Sequence, residues 1–253
     1  MHSRQHKYCL CTLDNIILYI CKKVEVNYTV ISGDIISSTS LKSHDKRVLE
    51  AQLEKLLADL KLHFNAFGRV LKGDYIECVV PEVGQALQVC LAIKSFVKTI
   101  PVSEESLRAE KHRARLFREH GIRLAIGYGP LERFQPERGI IDGKAIYLSG
   151  RVINSKSTHD KTRITIKNTL FFAAEDEILS TKWSAFLELL DVLFTKATQR
   201  QCEVVYLKLL GHNEEAISAA LGIDQSVVNR HSTNVGWNAI ETAVSYFNQT
   251  ITS

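Results

Sequence analysis

The sequence predicts an α+β fold: a βαββαβ unit in the ferredoxin-like arrangement, followed by an all-α C-terminal unit. Three observations carry this. Between residues 28 and 129, β-rich runs and helical periodicities follow the order strand, helix, two-strand hairpin, helix, strand. That order builds an antiparallel sheet with helices packed on one face. Two Gly-Asp steps, Gly33-Asp34 and Gly73-Asp74, each lie beside an apolar run. From Ala197 onward the patterning is helical to the end.

The elements follow in chain order. Tyr28 to Ile31 is a run of β-formers and reads as a buried strand that stops at Gly33-Asp34, before a Ser/Thr-rich turn. Ser43 is placed to cap a long helix, with Leu49, Leu53, Leu56, Leu57, Leu60 and Phe64 at three- and four-residue spacing and Gly68 as its C-cap. Lys72-Gly73-Asp74 between two β-rich runs is a hairpin signal. Glu82 to Lys98 is amphipathic, and 103–120 reads as an exposed basic helix. Gly121 to Gly129 is a second central strand ended by glycines, with 130–143 a loop. Ala145 to Asn154 is a helix, Thr162 to Lys167 a further strand, and Ser180 to Phe194 a strongly apolar helix.

The chain has 253 residues, 45% hydrophobic and 24% charged, enough for one large domain or one domain plus a small one. Four segments are expected: an N-terminal extension (1–26), the α+β domain (27–178), a linker or dimerisation helix (179–196) and an all-helical C-terminal domain (197–253). The run Tyr8 to Cys21 is too short to span a membrane and lacks a small-residue cleavage site, so no membrane partner is expected. The six cysteines fit no zinc-ribbon spacing and read as buried thiols in a reducing compartment, which points to the cytoplasm. Cys9, Cys11 and Cys21 lack a nearby fourth metal ligand. The net charge of +4 is concentrated: residues 108–123 hold six Lys/Arg against two acids.

An aspartate at a strand exit, followed by hydroxyls and free backbone N–H groups, suits a metal-phosphate site. Asp34 and Asp74 are therefore candidate ligands for one divalent cation, Mg2+ or Mn2+. The alternative for Asp34 is a turn cap. Four pieces resemble the class III nucleotide cyclase superfamily: Gly33-Asp-Ile-Ile-Ser-Ser-Thr39, Lys72-Gly-Asp74, Arg123-Leu-Ala-Ile-Gly-Tyr-Gly129 and Gly143 to Arg151. The resemblance implies that Asp34 and Asp74 hold metal, and that Ser37, Ser38, Thr39, Lys72, Gly73 and Arg151 surround a nucleotide. The pattern is incomplete. Val70 stands where a base-reading Lys is expected, Tyr147 where the transition-state Asn is, and Ile140 where a second base-reading acid is, with Asp142 nearby. Over 27–250 the layout resembles the SatD family, with Asp142-Gly-Lys-Ala145 as a third shared element.

The C-terminal pattern Thr198-x-Arg200…Glu203-Val204…Gly211…Leu221-Gly222-Ile223…Val228…His231 resembles the helix-turn-helix of sigma-factor region 4 and LuxR-type proteins. Asn213 would cap the second helix, and Gly222-Ile-Asp224 forms the turn before a third. The resemblance places Gln225, Ser226, Asn229, Arg230, Ser232 and Thr233 against base edges and phosphates, and Arg200 and Lys208 on the DNA backbone. Residues 195–235 carry four basic and four acidic side chains, so the segment contributes no net positive charge. The expected function is a DNA-binding transcriptional regulator whose degenerate cyclase-like domain binds a nucleotide or divalent metal. The alternative is an active metal-dependent nucleotidyl cyclase or nucleotidyltransferase. Either would be expected as a homodimer.

Overall fold

The computed structural model describes residues 11–13, 16–18, 26–156 and 166–252. Two short strands, β1 (Cys11–Leu13) and β2 (Ile16–Leu18), pair antiparallel with each other. The central sheet follows. β3 (Asn27–Ile35) lies between β5 (Tyr75–Val80) and β6 (Ile122–Gln135), and β4 (Phe67–Leu71) pairs outside β5. All of these pairings are antiparallel. β7 (Ile140–Gly143) pairs antiparallel with the far end of β6, and β8 (Leu170–Ala174) lies parallel to β6's first half.

Alternation along β3 divides the sheet into two faces. Ile31 and Ile35 face α1 (Ser43–Phe64) and α2 (Ala86–Val97), in the main core. Val30, Ser32 and Asp34 face α5 (Lys144–Lys156): Val30 packs with Ala145 and Ile146, and the Ser32 and Ser149 hydroxyls are 2.8 Å apart. α5 lies very close to the sheet because Gly127 has no side chain. A Cβ there would sit 2.0 Å from the Ala145 carbonyl oxygen.

Several expectations are corrected here. Ser43 is not the cap of α1: Lys42 is, and the buried Asp45 carboxylate instead takes the Ser103 and Ser106 hydroxyls at 2.7 and 2.6 Å. The helix ends at Asn65 (φ 51), leaving Gly68 inside β4. The 103–120 segment breaks at Glu110 into α3 (Glu104–Ala109) and α4 (Lys111–His120). Neither Gly127 nor Gly129 ends β6, which runs on to Gln135 and makes 130–143 a hairpin with β7. The strand expected at 162–167 falls mostly outside the described residues, and 166–167 is not strand. The strand that joins the sheet is Leu170–Ala174.

α6 (Glu177–Lys196) is capped by Asp176, which accepts from Ile178 N and Leu179 N. It buries Trp183, Leu187, Leu190 and Phe194 and leaves Ile178, Leu189 and Val192 exposed. α7 (Gln199–Leu209) begins with a capping box between Thr198 and Gln201. α8 (Glu214–Leu221) starts at Asn213, whose side chain accepts from Ala216 N, and ends at Gly222 (φ 62). α9 (Gln225–Asn234) and α10 (Trp237–Thr250) follow.

These helices share the main core with the sheet. Phe247 of α10 meets Trp183 at 4.5 Å between ring centroids, and Phe96 of α2 meets Tyr206 at 4.9 Å. Tyr206 donates its hydroxyl to Asp59 at 2.7 Å, and Gln88 donates to Leu209 O at 2.6 Å. The buried Lys94 donates to His120 O, Ile122 O and Thr169 Oγ1 and lies 3.8 Å from Asp191. Burial lowers its pKa to about 8, against the opposing pull of Asp191. Among the described residues no helix is long and apolar enough to cross a membrane.

Candidate functional site

The sheet register brings the two Gly-Asp steps together. Asp34 is paired with Tyr75, and Ile35 N donates to Asp74 O at 3.0 Å. The hairpin turn is tight, with positive φ at both Lys72 (53°) and Gly73 (81°). A lysine in that region is uncommon and costs backbone strain, which proteins retain mostly near functional sites.

A cleft of about 1060 Å³ opens between this turn and α5. Asp34, Asp74, Lys72 and Arg151, four of the residues expected from sequence, line it together. Arg69, Tyr75, Glu77, Ile146, Tyr147 and Asn154 complete much of the wall. Ser38 reaches the site through Asp74, donating its hydroxyl to Oδ2 at 2.6 Å. Ser37 (φ 60) shapes the turn, and its carbonyl accepts from Ser40. Thr39 is exposed, and its hydroxyl accepts from Arg113 at 3.4 Å. Gly73 lies toward Glu50 of α1: a Cβ there would be 3.0 Å from the carboxylate.

The charges in the cleft are unevenly matched. Asp34 accepts from Arg123 Nη1 at 2.8 Å, and both side chains are almost fully buried. Burial pulls the Arg123 pKa down and Asp34 pulls it back up. Arg69 pairs with Glu77 at 2.5 Å and also donates to Gly139 O. Burial raises the Tyr75 pKa, with Glu77 and Asp34 adding to the shift and a Ser32 hydrogen bond opposing it. Lys72 and Arg151 have no ion-pair partner among the described residues. Tyr147 donates to Asp142, which also takes two hydrogen bonds from Arg133 at 2.6 and 2.8 Å. These hydrogen bonds hold the Asp142 pKa below the usual carboxylate range.

The donor set for a cation is therefore Asp34 and Asp74. Hard divalent ions take six or more oxygens, and two carboxylates supply only part of that shell. Arg123 already balances Asp34. Among the described residues no three His, Cys, Asp or Glu side chains cluster to hold a metal ion.

Arg123, Glu77 and Arg69 were not identified as site residues from sequence. The available signal was a charged residue inside an otherwise apolar strand, which must find a partner when buried.

In the C-terminal helices, Val204, Ile217 and Val228 are fully buried against one another, with Leu207, Leu221 and Ile223 packed around them. Gln225, Ser226, Asn229, Arg230 and Thr233 of α9 are exposed. Ser232 is 5% exposed and turned inward, because it lies four residues after Val228 on the packed face. Arg200 is exposed and pairs with Glu203 at 2.6 Å. Lys208 is turned inward to Glu214 (3.1 Å) and lies 5.3 Å from the Trp237 ring centroid.

The structure thus defines a mixed α/β protein with a mainly antiparallel central sheet, a cleft at one end of it lined by both charged and apolar residues, and helices sharing its core. No family model and no curated protein matches the chain. Similar solved structures include a bacterial light-regulated adenylyl cyclase (TM-score 0.36, 12% identity, covering 58% of this chain and 43% of that one). The guanylyl cyclase Cya2 is another (TM-score 0.34, 16% identity, 52% and 71%). The chain spans less than half the length of the first.

Proposed function

We propose that this protein is a DNA-binding transcriptional regulator, with a ferredoxin-like, cyclase-like domain that binds a nucleotide and a C-terminal helix-turn-helix that binds DNA. The observation carrying this reading is the arrangement of α8 and α9. The tight αL turn at Gly222 sets the two helices around Ile217 and Val228, while Gln225, Ser226, Asn229, Arg230 and Thr233 point outward. A short helix with amides, hydroxyls and one guanidinium on its free face suits major-groove edges. Ser232 and Lys208 are left out of the DNA surface by their packing.

The ligand cleft is the regulatory element of this reading. Lys72 and Arg151 bind the phosphates. Asp34 and Asp74 would hold Mg2+ or Mn2+ carried with them, and that ion would neutralise phosphate charge. The protein acts as a homodimer in the cytoplasm, reading paired half-sites. The test is a footprint and gel shift on DNA upstream of the protein's own coding region, at low salt, with and without nucleotide. Sequence-selective protection is expected. Its absence under all conditions contradicts the proposal.

The convergence of Asp34, Asp74 and Arg151 on one cleft favours a second reading, a metal-dependent nucleotidyl cyclase or nucleotidyltransferase. Incubation with each nucleoside triphosphate and Mn2+ separates the two. Pyrophosphate release abolished by Asp34→Asn and Asp74→Asn supports catalysis. No release supports a binding role.

A further inference from the structure

The α8–α9 segment carries Glu214, Glu215 and Asp224 against a single Arg230, yet duplex DNA is held largely through phosphate neutralisation. The missing charge has a candidate source elsewhere in the fold. Lys111, Arg115 and Arg118 recur at four and three residues along α4, and Arg108 precedes them at the end of α3. All four are exposed, and none has an ion-pair partner among the described residues. The neighbouring charges differ. Arg113 is taken by Glu110 at 3.2 Å and by Thr39, Glu119 lies beside His120, and Glu104 and Glu105 sit in the first turn of α3.

The opposite side of α4 is fixed. Ala114, Leu116, Phe117 and His120 are buried. α4 packs on α6, and Lys98 ties this corner together by donating to Phe194 O and Ala197 O. α6 also reaches the α9–α10 junction, where a Cβ on Gly236 would lie 3.8 Å from Leu193. The basic row and α9 are thus joined through packed helices, α4 on α6 and α6 beside the α9–α10 junction, rather than through a flexible linker.

We propose that Arg108, Lys111, Arg115 and Arg118 form a phosphate-contact surface that holds the backbone of duplex DNA engaged by α9. This rests on the DNA-binding reading above and adds the surface that supplies its affinity. Four phosphate contacts contribute about 3.5 to the slope of log K against log salt, at roughly 0.9 per phosphate. Between 50 and 200 mM salt that is about a 100-fold loss of affinity.

The experiment measures full-chain binding to duplex DNA across that salt range, for the natural protein, an R108Q/K111Q/R115Q/R118Q variant and an N229A/R230A variant. Circular dichroism checks the fold of each. The expected result is a slope lowered by about 3–4 in the quadruple variant, with sequence preference kept. N229A/R230A should lose preference and keep most of the slope. An unchanged slope in the quadruple variant overturns the phosphate surface and leaves the helix-turn-helix reading intact. A lowered slope with preference unaffected by N229A/R230A does the reverse. No duplex binding by the natural protein overturns both. Binding of phosphatidylserine vesicles through the four residues, without DNA binding through them, overturns the assignment of partner.

Discussion

The face of the central sheet turned to α1 and α2 is continuous apolar core, built from Ile31, Ile35, Ile76, Cys78, Leu124 and Ile126. The face turned to α5 carries Ser32, Asp34, Glu77 and Arg123 on the same three strands. One face is fully covered by large helices, and the C-terminal helices extend that cover. The other is covered by α5, lying low over Gly127, together with the β6–β7 hairpin through Ile141 and Phe134, and a cleft remains beyond them. The difference shows a division of labour: stability is concentrated on one side of the sheet, and strained or charge-bearing residues are held on the other.

The largest expected effect tests the covered face. Trp183→Ala removes a fully buried ring wedged between Phe172 and Phe247, and should cost about 3–5 kcal/mol by denaturant unfolding. Because the C-terminal helices share this core, sheet and helices should unfold in one transition. Separate transitions would break the comparison.

Next comes the buried pair on the cleft face. Arg123→Met leaves Asp34 without its cation and should cost about 3 kcal/mol, at the low end for a broken buried pair because Asp34 borders an open cleft. The same variant should show a larger rise in Tm with Mn2+ than the natural protein, since the guanidinium no longer repels the ion from the Asp34 carboxylate. Equal Mn2+ shifts would contradict Arg123 as the internal counter-charge.

Gly127→Ala probes the spacing between α5 and the sheet. The added methyl meets the Ala145 carbonyl, so α5 must lift, at a cost of about 1–3 kcal/mol. The proposed nucleotide binding should weaken along with stability.

The smallest effect concerns thiols. Burial pushes the Cys78 pKa up to about 12 and Cys202 up to about 11. The folded state therefore keeps protons that the unfolded chain releases above about pH 9. These groups contribute stability that is fully present below that pH and lost as pH rises toward 11–12. Native alkylation at pH 8 should leave the peptides containing Cys78 and Cys202 unmodified. Rapid labelling would mean that this core opens.

Much of the fold was legible because periodicity and capping act locally. The leucines of α1, the Lys72-Gly73 turn, and the Asn213 and Gly222 caps identify their elements without reference to the rest of the chain. The features that escaped depend on distant partners. β6 was expected to end at its glycines, but those positions serve the approach of α5, which begins fifteen or more residues further on. β8, with the sequence Leu-Phe-Phe-Ala-Ala, carries no alternation because β6 and α6 bury most of it. Asp34 and Asp74 were found because each follows a glycine beside an apolar run. Arg123 was missed as a site residue because its role follows from antiparallel register across 89 residues. Lys94 likewise sits in an apolar helix and acquires its meaning from Asp191.

The most direct test of the proposed coupling between cleft and α9 is the affinity of the full protein for its selected DNA site, measured with and without saturating nucleoside triphosphate. A ligand that acts through the fold must change that affinity, and DNA must change nucleotide affinity by the same factor. The expected result is a change of about 5-fold or more, a coupling of at least 1 kcal/mol, abolished by Lys72→Ala/Arg151→Ala. Selective DNA binding that is identical in both conditions, or that responds equally in the double variant, would contradict it.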